Sequence, residues 1–186
     1  ALLVDQLLFL ARAENTHMQI SRSRALLIDE FEVLQDFFRV AAEGKQIELA
    51  ISCSPALSVM VDRVLFRRAM SNLLANAIEH TPHRGRISLS ASACDDSVSI
   101  VIADTGEGIP LASQPHIFDR FYMVEKSRHS TGKRVGLGLA ITKSIISLHG
   151  GSISVSSSPG RGTSVCVSLP HEATSTAARV MEMVVA

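Results

Sequence analysis

Four segments of this chain alternate apolar and small residues with strict period two, and that pattern limits the fold more than any other feature. Ile87, Leu89, Ala91 and Ala93 alternate with Ser88, Ser90 and Ser92, and Val98, Ile100 and Ile102 with Ser97, Ser99 and Val101. Ile153 and Val155 alternate with Ser152, Ser154 and Ser156, and Val165, Val167 and Leu169 with Ser164, Cys166 and Ser168. A fifth segment places Ile47, Leu49 and Ile51 on one parity. Successive side chains of a strand point to opposite faces, so these strands bury one face and wet the other. A doubly wound parallel sheet, covered on both faces, would read as continuously apolar and is disfavoured. Helix-spaced segments at 29–42, 62–80 and 137–149 must cover the single apolar face, which gives a two-layer α/β sandwich. Phe31, Leu34, Phe37, Phe38 and Ala41 of the first are spaced for a core, Gly44 is its expected stop, and Asp62 is the expected N-cap of the second.

The chain has 186 residues and is 46% hydrophobic, enough for one domain with a core plus an appendage. Eighteen basic residues balance eighteen acidic ones, so no global field points to nucleic acid. The three cysteines, Cys53, Cys94 and Cys166, are far apart and lack metal-site spacing, which fits a reducing compartment. No apolar run is long enough to cross a bilayer. Residues 1–21 read as the end of a helix and a linker, 22–170 as the main domain and 171–186 as a tail. The first helix carries two apolar ridges, Leu3, Leu7, Leu10 and Val4, Leu8, Ala11, which is more than one surface helix needs. It reads as the end of a longer helix with bundle partners elsewhere. In the tail, Ala177, Val180, Met181 and Val184 have helical spacing.

On the 62–80 helix, Asn72, Asn76 and His80 recur every four residues and share a face opposite Leu73, Leu74, Ala77 and Ile78. Amide oxygens can ligate a hard cation and amide nitrogens can donate hydrogen bonds, which suits a metal-bound polyphosphate. A solvated polar face is the plainer reading of an asparagine pair alone. Asp104 follows a strand and falls by parity on the face of Val98, Ile100 and Ile102. A carboxylate there must find donors, and the exocyclic amine of adenine is one. Gly106 and Gly108, followed by Ile109, let the backbone approach a flat ligand. Gly136, Leu137, Gly138 and Leu139 open the next helix, where free N–H groups and the helix dipole favour an anion. The spacing is neither that of a P-loop nor that of a dinucleotide-binding glycine loop. Between them, residues 122–135 hold Lys126, Arg128 and Arg134 in a basic loop with little apolar content.

The order of these elements carries more than any one of them. The Asn-x-x-x-Asn helix, Asp104 to Pro110, the Ile-Phe-Asp-Arg-Phe run ending at Phe121, the basic loop, Gly136 to Leu139 and Gly160 to Thr163 together resemble the catalytic, ATP-binding domain of sensor histidine kinases. The likeness runs from about residue 22 to 170, and its phrasing is nearest to heavy-metal (copper or silver) sensor kinases. It implies the Bergerat (GHKL) fold, a mixed sheet with helices on one face, and an N-terminal fragment of the dimerisation helix. It implies ATP and Mg2+ as ligands, with Asp104 binding adenine, Asn76 ligating magnesium and Asn72 assisting. Residues 122–135 would close over the phosphates, Gly136 to Leu139 would lie against them, and Thr163 would help hold the base. The implied partners are the phosphoacceptor helices of the same chain or a dimer mate and a cognate response regulator. The implied setting is the cytoplasmic domain of a membrane-anchored homodimeric sensor in the inner membrane.

Two positions depart from the family pattern. Glu79 stands where a basic residue usually faces the phosphates, so Glu79→Lys is expected to tighten ATP binding. Arg134 and Val135 replace the small residues that often precede Gly136. The family's phosphoacceptor motif, His-Glu-x-x-x-Pro, does not occur, so the nucleophile is expected on a separate helix. Two alternatives remain at this level: an ATPase clamp of the same superfamily and a nucleotide-binding regulatory module. The ATPases carry a catalytic glutamate one turn before the metal-binding asparagine, and here that position is Asn72.

Overall fold

The computed structural model describes residues 2–13, 18–124 and 135–171. The serine-alternating segments form a five-stranded mixed sheet, as their period requires. Its strands are β2 (Glu48–Cys53), β4 (Arg86–Cys94), β5 (Ser97–Asp104), β6 (Ser152–Ser158) and β7 (Gly162–Pro170), in spatial order β2-β4-β5-β7-β6. Only β2 and β4 pair in parallel, and the other neighbours are antiparallel. Register sets Ile87 opposite Asp104 and Leu89 opposite Ile102, so one face collects the apolar side chains.

That face is covered by α2 (Leu27–Gly44), α3 (Arg63–His80) and α4 (Gly138–Leu148). Phe31, Phe66, Met70, Leu74, Ile87, Ile100, Ile141 and Ile145 are all fully buried between the layers. Each such side chain contributes about 1.5–3 kcal/mol. Buried Glu30 of α2 accepts from Arg63 Nε at 2.7 Å and pairs with Arg67, which fastens α2 to the first turns of α3. Asp62 caps α3 as expected, its Oδ1 accepting from Val64 N and Leu65 N at 3.1 Å.

The structure differs from the sequence reading in several places; Phe37 and Ala41, read as core positions, face solvent, and Ala42 is buried instead. A two-stranded antiparallel sheet of β1 (Ser23–Leu26) and β3 (Ser58–Val61) lies where only connecting chain was expected. Four-residue strands are too short to display a period. Helix α2 begins two residues early, and it includes Gly44 rather than stopping there. The chain reverses instead at Gln46, which adopts φ 53°. Helix α1 (Leu2–Ala13) packs on α4 through buried Leu10, while Leu3, Val4, Leu7 and Leu8 stay exposed. The tail's helical spacing lies outside the described residues. Among the described residues no helix is long and apolar enough to cross a membrane.

Candidate functional site

Asp104 ends β5 at the rim of the sheet, and its surroundings fix one of its oxygens. Oδ1 accepts from Gly106 N at 2.7 Å and from Thr163 N at 3.2 Å. Burial pushes the carboxyl up from its ordinary range, while the two backbone N–H groups and His80 pull it back. The second strand of this frame comes as close as backbone allows. Gly162 has φ +89°, and a Cβ there would lie 1.9 Å from the Asp104 carbonyl oxygen. Only glycine fits between β7 and the end of β5.

The loop after Asp104 is locked to its neighbours on both sides. A Cβ on Gly106 would lie 2.6 Å from the His80 carbonyl oxygen, so the loop presses on the end of α3. Glu107 N donates to that same carbonyl at 3.3 Å, and Glu107 Oε1 meets His80 Nδ1 at 2.9 Å. Gly108 has φ +71° and passes directly over the Ser158 carbonyl. Ile109 N donates to Ser157 Oγ at 2.8 Å. That hydroxyl donates in turn to the Gly162 carbonyl and meets Thr163 Oγ1 at 2.9 Å. Gln114 Nε2 closes the ring on the carbonyls of Ile109 and Ser157.

The asparagine face of α3 meets the start of α4. Asn72 Nδ2 donates to the Gly138 carbonyl at 3.1 Å and to Thr142 Oγ1 at 3.4 Å. Asn76 and His80 follow on the same face, both half-buried. Among the described residues the N-cap position of α4, Leu137, offers no side-chain capping bond. Gly136 takes φ +69° against the backbone of Phe121 and Tyr122, and its carbonyl accepts from Phe121 N at 2.9 Å. Leu137 is buried in the core, so only its backbone can reach a ligand, whereas Leu139 is half-buried. Phe121 turns its ring to solvent and sits at φ 61°. Glu79 is half-buried, and its Oε2 is shielded from solvent. It lines a cavity of about 510 Å³ with Lys45, His80, Gly106 and Glu107. Lys126, Arg128 and Arg134 lie outside the described residues.

Several residues that hold this arrangement carry no motif. Lys45 Nζ donates to the carbonyls of Ile78, Glu79 and Thr81 at 2.8, 2.7 and 3.3 Å, which satisfies the last turn of α3 and opposes its dipole. Ser157 and Gln114 are further examples, while Glu107 lies inside the Asp104 to Pro110 run and Thr142 one turn beyond Gly138. Among the described residues no cluster of three or more His, Cys, Asp or Glu side chains could hold a metal. A hard cation here would take amide oxygens, with phosphate and water completing its shell. The row of Asn72 and Asn76 fits that donor set.

The family described as histidine kinase-, DNA gyrase B- and HSP90-like ATPase matches residues 61–173. Along 170 residues the chain is 37% identical to the sensor histidine kinase CusS of Escherichia coli (strain K12), covering 91% of this chain and 35% of that protein. It is 33% identical to the sensor protein CzcS of Cupriavidus metallidurans (strain ATCC 43123 / DSM 2839 / NBRC 102507 / CH34) over 180 residues, covering 97% of this chain and 37% of that one. The chain thus spans about a third of the length of these relatives. Its fold superposes on full-length ShkA, solved in complex with AMPPNP, with a TM-score of 0.79 at 28% identity, covering 90% of this chain and 35% of that one. The mixed sheet with helices on one face and the match over most of the described domain agree: this chain belongs to the histidine kinase-, DNA gyrase B- and HSP90-like ATPase family, as a catalytic domain of the sensor histidine kinase kind.

Proposed function

We propose that the chain binds Mg-ATP between α3, the end of β5 and the start of α4, and passes the γ-phosphate to a histidine on a partner helix. The observation that carries this reading is Asp104, a half-buried carboxylate whose Oδ1 is committed to Gly106 N and Thr163 N. An acceptor fixed in that way suits the exocyclic amine of adenine, and Gly106 and Gly108 leave room for the flat base beside it.

The other end of the site suits the triphosphate. Asn76 would ligate magnesium, which supplies charge neutralisation at the phosphate oxygens when bound. Asn72 holds the Gly138 turn in place through its amide nitrogen, and the first turn of α4, with no side-chain bond from Leu137, offers N–H groups to an anion. The basic segment with Lys126, Arg128 and Arg134 would complete the phosphate side. Phosphoryl transfer depends chiefly on positioning and electrostatic stabilisation, and these groups supply both.

Transfer is favoured over hydrolysis because Asn72, an amide already bonded to Gly138 and Thr142, cannot act as a general base. The reading extends to a response regulator downstream and to a membrane-anchored, homodimeric whole protein with this domain in the cytoplasm. Titration with ATP in the presence and absence of magnesium tests the binding step. Magnesium-dependent binding supports it, and no binding to the folded chain overturns it.

A further inference from the structure

Helices α3 and α4 run antiparallel and are joined at two points. At the site, Asn72 bonds Gly138 and Thr142. At the far end, the backbone N–H of Asp62, which heads α3, donates to His149 Nε2 at 2.9 Å. His149 follows the last residue of α4 and is 2% exposed. At 1.5 Å per residue, the two joints lie about 15 Å apart along either helix.

The geometry settles which form of the imidazole this joint needs. Nδ1 lies 2.8 Å from the Ile145 carbonyl, which can only accept, so Nδ1 carries the hydrogen. Nε2 faces a backbone N–H, which can only donate, so Nε2 must be bare. A protonated ring would set two donors against each other at Asp62. That residue's side chain is the N-cap of α3, and its Oδ2 accepts from Ser21 N at 3.3 Å. Arg22 Nη2 donates to the Leu148 carbonyl at 2.8 Å. The segment arriving from α1 therefore grips the same joint.

We infer that His149, as the neutral Nδ1–H tautomer, is a positioning residue for the nucleotide site, pinning the end of α4 to the head of α3 so that the Asn72–Gly138 joint keeps its geometry. This rests on the nucleotide reading proposed above. Loss of the far pin lets the helices pivot about the near one, and the near one lies in the site. Burial holds His149 below the ordinary imidazole range, and Arg22 pushes it the same way, while the Ile145 bond and Asp62 push it up. The joint is therefore intact at the ordinary imidazole pKa and above, and it is lost only as the pH falls through the depressed value.

The test is Mg-ATP titration of the folded chain from pH 8 to pH 5, comparing wild type with His149→Gln, which can accept from Asp62 N but does not titrate. Protonation of the nucleotide is common to both, so the difference between the profiles reads His149. At pH 8, His149→Leu, which cannot accept from Asp62 N, is expected to bind Mg-ATP at least about threefold more weakly than His149→Gln, and wild-type affinity should fall more than that of His149→Gln once the pH passes the depressed value. Arg22→Gln gives a second reading that survives any folding defect of the first: removing the facing charge should move the wild-type loss to higher pH. Equal Mg-ATP affinity of His149→Leu and His149→Gln at pH 8, with both chains folded, overturns this inference alone. Failure of the wild type to bind Mg-ATP at pH 8 overturns the nucleotide reading and this inference with it.

Discussion

Asp104 is a carboxylate that is expensive for the fold and that the proposed nucleotide reading makes necessary for the ligand. Its charge is disfavoured by burial, yet its two backbone donors keep Oδ1 occupied and leave the other oxygen open to the proposed contact with the base. In Asp104→Asn, Oδ1 can keep both donors, which turns Nδ2, a donor, toward the adenine amine. Nucleotide affinity should fall at least 30-fold, from the loss of about 2 kcal/mol of charge-assisted hydrogen bonding and a new donor clash. The melting temperature without nucleotide should hold or rise, because the desolvated charge is gone; a lower one would mean the carboxylate stabilises the fold. Glu79→Lys tests the position at odds with the family. Glu79 Oε2 is shielded from solvent, so water screens its charge poorly and a phosphate beside it would be repelled. Tighter ATP binding is expected on lysine substitution, and weaker or unchanged affinity would show that position 79 does not face the phosphates. Asp104 was legible in the sequence because strand parity places it. Lys45 was not, because its contacts lie 33 to 36 residues away and no local pattern announces them.

At the scale of elements, α3 is the part on which the others converge. Asp62 and His149 hold its head, Lys45 its tail, Glu30 its first turns and Asn72 the neighbouring helix. Lys45→Met keeps the aliphatic stem but strips three donors from the terminal carbonyls. It should cost about 1–3 kcal/mol of stability. Hydrogen exchange should speed up in the last turn of α3 and in the Gly106 loop that rests on His80, with little change in β6 and β7. Uniform acceleration would contradict the local role of Lys45. The helices and the five main strands were readable because each repeats its period for at least five residues. The β1–β3 pair was not, since four residues such as Ser23 to Leu26 fit several patterns, and only Val59, Val61 and Ala25 burying together distinguishes it.

For the whole molecule, a family domain with a site built from three converging elements predicts ligand-linked stability. Mg-ATP at a hundred times its dissociation constant should add about 2.7 kcal/mol, a rise of roughly 5–10 °C in melting temperature for a domain of this size. Omitting magnesium should shrink that rise, and an equal rise without the metal would remove Asn76 from its proposed role. The order of motifs makes this level legible in the sequence, because each motif is weak and their order is not. What order cannot convey is the bracing between motifs, which passes through Ser157, Gln114, Glu107 and His149. The most direct test of the kinase reading mixes the chain with γ-labelled ATP, magnesium and a separately prepared phosphoacceptor helix pair from the same sensor protein. Acid-labile, base-stable label on the helix pair, and none on this chain incubated alone, is the predicted result. Phosphate released to solvent with no label on the helices would contradict it and favour an ATPase.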